Sequence, residues 1–155
     1  MIYLNWKYIG NFLSVLIVLG GSILMVSWDF KVNGKKAESI MNDLESQYNL
    51  LQSHPQAIQL NHYSTHKTRQ ALVVSKYSTD LNFSKIRAFY DQELTKQGWN
   101  FCKEEQLTYW GQNLGGIAVY YRKGEYTASL QYAGNIPGYS WTYSLDLTWG
   151  QQNCD

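Results

Sequence analysis

The sequence predicts an α+β protein: an N-terminal transmembrane helix and helical stalk, then an antiparallel sheet of order β-β-α-β-β-β-β with one helix packed on one face. Three observations carry this. Tyr8 to Trp28 is an unbroken uncharged run, Ile86, Phe89, Tyr90 and Leu94 share one helix face between two groups of strand signals, and Tyr139 to Trp149 alternates strictly between large apolar and small polar residues.

The run Tyr8–Trp28 contains no Asp, Glu, Lys, Arg or His. About 20 such residues, rising 1.5 Å each, cover a ~30 Å hydrocarbon layer. Trp6 and Tyr8 on one side, and Trp28 and Phe30 on the other, match interfacial aromatic belts. A cleaved signal peptide would end in a small-x-small site, whereas this run ends in Val-Ser-Trp-Asp-Phe. A lipoprotein would need a cysteine just after the apolar core, and the two cysteines are Cys102 and Cys154. The expected partner of residues 8–28 is therefore a lipid bilayer, crossed once. The expected divisions are a head over 1–7, the span over 8–28, a linker and stalk over 29–54 and a sheet domain over 55–155.

Two arguments about orientation pull apart. Lys31, Lys35 and Lys36 outnumber Lys7 and the terminal amine, which favours a cytoplasmic C-terminal part. A six-residue head before an apolar run behaves instead like an uncleaved signal, and long domains translocate largely regardless of charge. An extracytoplasmic C-terminal domain is the expectation adopted.

Roughly 125 residues follow the span, enough for one domain with a core. With 13 Lys and Arg, 12 Asp and Glu and a net charge of +1, the chain has no basic field or stripe to select nucleic acid. Its 13 Tyr and 6 Trp concentrate in the C-terminal half among Ser, Thr, Gln and Asn, which suits a sheet with one packed and one polar face.

After Val32-Asn33-Gly34, the residues Ile40, Met41, Leu44, Tyr48 and Leu51 recur at helical spacing, and the pattern stops before Pro55. This is the stalk; the stripe is too short for a firm coiled coil, though a weak homodimer through it is an alternative. Gly10, Ser14 and Gly21 near one face of the span permit close helix contact. Ala57–Tyr63 and Gln70–Tyr77 read as strands joined by a polar connection over 64–69. The next helix opens at a capping residue, Thr79, Asp80 or Asn82, and closes at Gly98. Trp99–Glu104 and Ile117–Arg122 flank a loop with Gly111, Gly115 and Gly116. Lys123-Gly124 turns into a strand over Tyr126–Ala133, and Asn135-Ile136-Pro137-Gly138 turns into the last strand. That strand shows Tyr139, Trp141, Tyr143, Leu145, Leu147 and Trp149 on one side, so a one-residue slip would expose them all.

Tyr77-x-Thr79, Phe89-Tyr90-x-x-x-Leu94-x-x-x-Gly98-Trp99, Tyr121-x-x-Gly124-x-Tyr126 and the closing Leu145-x-Leu147-x-Trp149 together resemble small bacterial membrane-anchored or lipoprotein-type domains of uncharacterised function. The resemblance covers roughly Pro55 to Trp149 and implies a fold and an envelope setting, not an activity.

Catalytic signatures are weak throughout. Cys102 and Cys154 form a disulfide if their strands are near neighbours and the domain faces an oxidising compartment; otherwise they are two free thiols. His62 and His66, in a segment read as strand and loop, share no metal site and are expected at the surface or in turns, like His54. Asp91, Glu93, Glu104 and Glu105 read as solvated carboxylates. The glycine cluster Gly111-x-x-x-Gly115-Gly116 lacks the lysine and helix of a phosphate loop. No catalytic residue, metal or cofactor is assigned. Tyr109, Trp110, Tyr120 and Tyr139 are the partner-binding candidates if they line an exposed edge or groove, against the alternative that they belong to the core. The polar sheet face, with Thr127, Ser129, Gln131, Thr142 and Ser144, is a surface that another chain could cover. The function expected is a non-enzymatic binding or accessory module anchored at the bacterial cell envelope. An immunity or inhibitor-type protein is the alternative, with a small enzyme or a pilin-like subunit behind it.

Overall fold

The computed structural model describes residues 33–134, 136–150 and 154. The run 8–28, with its expected span, the head and residue 135 of the expected last turn lie outside them. Six strands, β1 (Ile58–Lys67), β2 (Gln70–Ser78), β3 (Asn100–Tyr109), β4 (Gln112–Lys123), β5 (Tyr126–Tyr132) and β6 (Tyr143–Trp149), form one antiparallel sheet of order β1-β2-β6-β5-β4-β3. Two helices, α1 (33–49) and α2 (Phe83–Lys96), pack on the same face of it.

The expected fold is corrected here. Among the described residues no helix is long and apolar enough to cross a membrane. The segment expected as a stalk outside the sheet domain is α1, whose Leu44 and Tyr48 join the same buried cluster as the sheet, with Ile40 and Met41 packed against it. The sheet thus carries two helices and not one. An amphipathic stripe needs an apolar surface to cover it, and the half of the sheet that α2 leaves open is the nearest one. α1 contacts His62 on β1, Tyr77 on β2 and Trp149 on β6, and reaches Tyr126 and Lys123 at the β4–β5 turn. α2 contacts Tyr121 on β4, Glu104 on β3 and Tyr143 on β6.

Alternation builds the core layer. Val73 and Tyr77 on β2, Tyr143, Leu145 and Leu147 on β6, Ala128 and Leu130 on β5, and Val119 and Tyr121 on β4 all turn toward the helices and are buried. Burial of each large apolar side chain contributes ~1.5–3 kcal/mol before chain entropy is subtracted. α2 is bounded by its own side chains. The Asn82 carboxamide oxygen accepts from the Lys85 N–H at 3.1 Å. At the other end Gly98, at φ +82°, lets its N–H reach the Thr95 carbonyl and lets Trp99 N–H reach that of Leu94, each at 3.0 Å.

Several boundaries differ from expectation. β1 continues through Ser64–Lys67, and the turn is only Thr68–Arg69, because an edge strand can be polar on both sides. β3 and β4 extend through the expected glycine loop to a two-residue turn at Trp110–Gly111. β6 starts at Tyr143 and leaves Tyr139 and Trp141 in the β5–β6 connection. Its partners stop there too: β5 ends at Tyr132 and β2 pairing ends at Tyr77. Thr142 is held crosswise by its N–H to the Tyr77 carbonyl at 2.8 Å and by its hydroxyl to the Thr79 carbonyl at 3.0 Å. The same connection crosses the end of β4 so closely that a Cβ on Gly134, at φ +59°, would lie 2.6 Å from the Gly115 carbonyl oxygen.

Where the helices meet β2 and β6, the core is phenolic. Tyr48 and Tyr77 hydroxyls are 2.5 Å apart, Tyr90 and Tyr143 hydroxyls 3.2 Å apart, and the Tyr77 and Tyr143 rings stack at 4.7 Å. Burial pushes the hydroxyls of Tyr48, Tyr90 and Tyr143 far above the ordinary phenol range, so they stay neutral donors and acceptors. Replacing Tyr77 with Phe removes one partner of the Tyr48 hydroxyl, leaving it the Ser75 hydroxyl, and is expected to cost about 0.5–1.5 kcal/mol in urea unfolding of the full chain. Tyr63→Phe, on the exposed face, is expected to change the same midpoint by less than about 0.5 kcal/mol.

Candidate functional site

The face of the sheet turned away from the helices is polar and concave. Register places Val74, Asp146, Ser129 and Tyr120 in one row across β2, β6, β5 and β4, with Lys76, Ser144 and Gln131 in the next. Neither α1 nor α2 covers this face, yet Ser129, Ser144 and Thr148 are buried. Taller neighbours enclose them: Tyr63 from β1, Tyr120 from β4 and Trp141 from the β5–β6 connection line a groove of about 290 Å³ with these hydroxyls.

Asp146 lies at its centre. Its Oδ2 accepts from Gln131 Nε2 at 3.0 Å and from the Ser129 hydroxyl at 3.4 Å. Its Oδ1 is buried with no hydrogen-bond partner among the described residues. Burial pushes this carboxyl up to about 6, an effect only partly opposed by hydrogen bonds from Ser144 and Ser129 and by the charge of Lys76. Lys76 Nζ stands 6.0 Å from the centroid of Trp141, whose indole stacks on Tyr139 at 4.5 Å. On the far wall, Tyr120 donates its hydroxyl to Glu105 at 2.7 Å while Lys103 Nζ stands 5.3 Å from its ring. Burial, with that carboxylate, raises the Tyr120 hydroxyl to about 12.

The four aromatic candidates separate into two places. Tyr120 is a groove wall, and Tyr139 backs the groove-lining Trp141. Tyr109 and Trp110 form the tip of the β3–β4 hairpin, where Trp110 is 88 % exposed. Both turn residues, Trp110 at φ +49° and Gly111 at φ +76°, have the left-handed backbone of a two-residue hairpin. A bulky residue there is strained by roughly 1–3 kcal/mol. Sequence reasoning placed Asp146 on the polar side of its strand without singling it out. The signal it offered was a lone charge inside an otherwise Ser/Thr face.

The other chemically interesting groups are held in structural contacts. His62, expected at the surface or in a turn, is instead half-buried on the helix side, bridging Glu45 and the Ser75 hydroxyl at 2.6 Å each. Asp91 accepts from Tyr121 at 2.5 Å, Glu104 pairs with Arg87, and Glu93 pairs with Lys96 at 2.7 Å. Among the described residues no three His, Cys, Asp or Glu side chains converge as a metal site.

Cys102 and Cys154 are joined by a disulfide, with Cα atoms 5.5 Å apart. Phe101 and Lys103 oppose the consecutive residues Tyr121 and Tyr120, so Cys102 is the extra residue of a β-bulge. The bond ties the chain beyond β6 to edge strand β3, with β5 and β4 between them. Closing a loop of this length, 52 residues in separation, contributes ~4 kcal/mol in the chain-entropy account.

The class defined is a six-stranded antiparallel sheet that buries one face under two helices and opens the other as a polar groove. No family model matches the chain, and no curated protein or solved structure is significantly similar to it.

The Asp146 carboxyl makes stability depend on pH with a definite sign. Its folded value, about 6, lies above the ordinary 3.8, so between these values the folded chain binds more protons than the unfolded chain. The site favours folding below that window, and the contribution, at most about 3 kcal/mol, is lost as pH rises through about 6. Asp146→Asn is expected to match the parent near pH 4 and to exceed it by ~1–3 kcal/mol at pH 7.5 in urea unfolding. A variant less stable at pH 7.5 would show the carboxylate to be net stabilising.

Proposed function

We propose that this chain is a non-enzymatic binding or accessory module, held at a bacterial cell envelope through its uncharged run 8–28, with the open sheet face as its binding surface. The groove around Asp146 carries the reading. A sheet face that merely meets water has no need to bury hydroxyls beneath aromatic walls, whereas a recognition site combines apolar walls with a few placed polar groups. Attachment rests on the sequence of residues 8–28 alone, and the outward placement of the domain rests on the signal-like head together with the disulfide between Cys102 and Cys154.

Strand register supports a directional arrangement. Gly34, at the start of α1, borders the β1–β2 turn at His66, Lys67 and Thr68, and Lys36 Nζ stands 5.4 Å from the ring of Trp149 at the end of β6. Trp110 and the β5–β6 connection lie at the opposite ends of the same strands. The attachment side and the aromatic side are thus separated by the length of the strands, ~20–30 Å.

An immunity or inhibitor-type protein is the second reading. The feature that favours it is the projecting Tyr109–Trp110 tip, a shape suited to insertion into another protein's cleft. Photo-crosslinking distinguishes the two. With benzoylphenylalanine in place of Gln131 or of Trp110 in the full chain in cells, the module reading expects discrete adducts from position 131. Adducts from position 110 alone would overturn it in favour of the inhibitor. A membrane-impermeant maleimide applied to intact cells is expected to label the cysteines only after reduction; labelling without reductant would contradict the disulfide, and protection until lysis would contradict the outward domain.

A further inference from the structure

We propose that the groove takes an electrically neutral, hydroxyl-rich ring, that is, a saccharide, with one apolar face on Trp141 and its hydroxyls on Asp146, Gln131 and Lys76. The inference rests on the reading of the open face as the binding surface and names the chemistry of its ligand.

Charge balance is the first argument. The groove lining holds one carboxylate, Asp146, and one ammonium, Lys76, on adjacent strands, and its other side chains are neutral. An anion would meet Asp146 and a polyamine would meet Lys76, each bringing like charges together in a partly desolvated site. A hydroxyl both donates and accepts, so one sugar edge can satisfy an acceptor and a donor at once.

The second argument is the mixture of surfaces. Ser129, Gln131 and Ser144 make the floor polar, so an apolar ligand would bury these groups without partners. Trp141 supplies a flat apolar wall beside Leu72 and Val74 of β2, and Tyr139 stacks behind the indole at 4.5 Å with an angle of 18° between ring planes. A pyranose has both surfaces: C–H groups on its faces and hydroxyls around its edge. The groove volume, about 290 Å³, lies at the small end of ligand clefts and suits a short saccharide or one end of a longer glycan.

The test uses the full chain in a detergent without a sugar headgroup, because glycosidic detergents would compete. An array of neutral oligosaccharides is screened first; hits are titrated by tryptophan fluorescence, beside spermidine, lysine and inorganic phosphate. Saturable binding of a neutral oligosaccharide is expected. Trp141→Ala and Gln131→Ala should each weaken it at least tenfold, and Trp110→Ala should leave it unchanged. Thermal unfolding of each variant checks that it folds, and the half-buried change Gln131→Ala gives a second reading of the groove if Trp141→Ala does not fold. No binding across the array, or binding indifferent to both groove variants, overturns the proposal. Binding of lysine, spermidine or phosphate that both groove variants abolish would also overturn the saccharide while leaving the groove as the binding surface. Failure of every probe together with no adduct from position 131 would remove both readings.

Discussion

The contact on which the rest of the structure depends is the buried hydrogen bonding of four phenols. Tyr48 comes from α1, Tyr77 from β2, Tyr90 from α2 and Tyr143 from β6, so the cluster is where both helices meet the neighbouring strands β2 and β6. A hydroxyl in a core is tolerated only when paired, so each phenol demands its partner in one place. Leucines there would bury comparable area without a directional contact. The Tyr48–Tyr77 pair adds a buried hold on α1 to the bonds of Asp43, Glu45 and Gln47 with Tyr126, His62 and Lys123, and Ser53, 3.3 Å from the Tyr77 hydroxyl, extends that hold into the chain leaving α1. Once α1 and α2 are set on one face, the opposite face of β2, β6 and β5 is the one that neither helix covers.

The two faces of the sheet follow opposite rules. The helix side is filled by large apolar and aromatic groups whose hydroxyls pair with one another, although Trp99 Nε1 and Glu45 Oε2 are buried there without a partner among the described residues. The groove side keeps small hydroxyls along its floor and places size only at its rim. Asp146 sits among them with one buried oxygen unpaired among the described residues. The disulfide pins Cys102, the bulged residue of edge strand β3, to Cys154 beyond β6. It blunts one edge of the sheet; β1 at the other edge is interrupted by its own bulge at Leu60.

How much was legible in the sequence varies by element for physical reasons. The antiparallel sheet with helices was readable, because period-two and period-3.6 patterns report burial directly. Asn82 and Gly98 bound α2 through local backbone chemistry, which needs no tertiary partner. α1 was readable as an amphipathic helix, but a stripe reports that a face is buried and not what buries it. Ser64–Lys67 was missed as strand because an edge strand has no obligatory apolar face. Tyr139 and Trp141 continued the alternation of β6 past the point where β5 and β2 supply partners, and pairing rather than pattern ended the strand. The groove was half visible. Its Ser and Thr floor followed from alternation, whereas its walls converge from β1, β4 and a connection, which no local pattern encodes.

Because α1 shares the sheet's core, it is a rigid mount and not a tether. Only residues 29–32 separate the uncharged run from the first described residue of α1, a stretch that reaches about 14 Å when fully extended. A domain on a long flexible leash samples a wide volume at low effective concentration, whereas a short connection to a fixed helix concentrates it in a thin layer with a restricted set of orientations. Under the attachment proposed through 8–28, a partner of the open face would meet it within that layer, in orientations limited by the packing of α1 on the sheet.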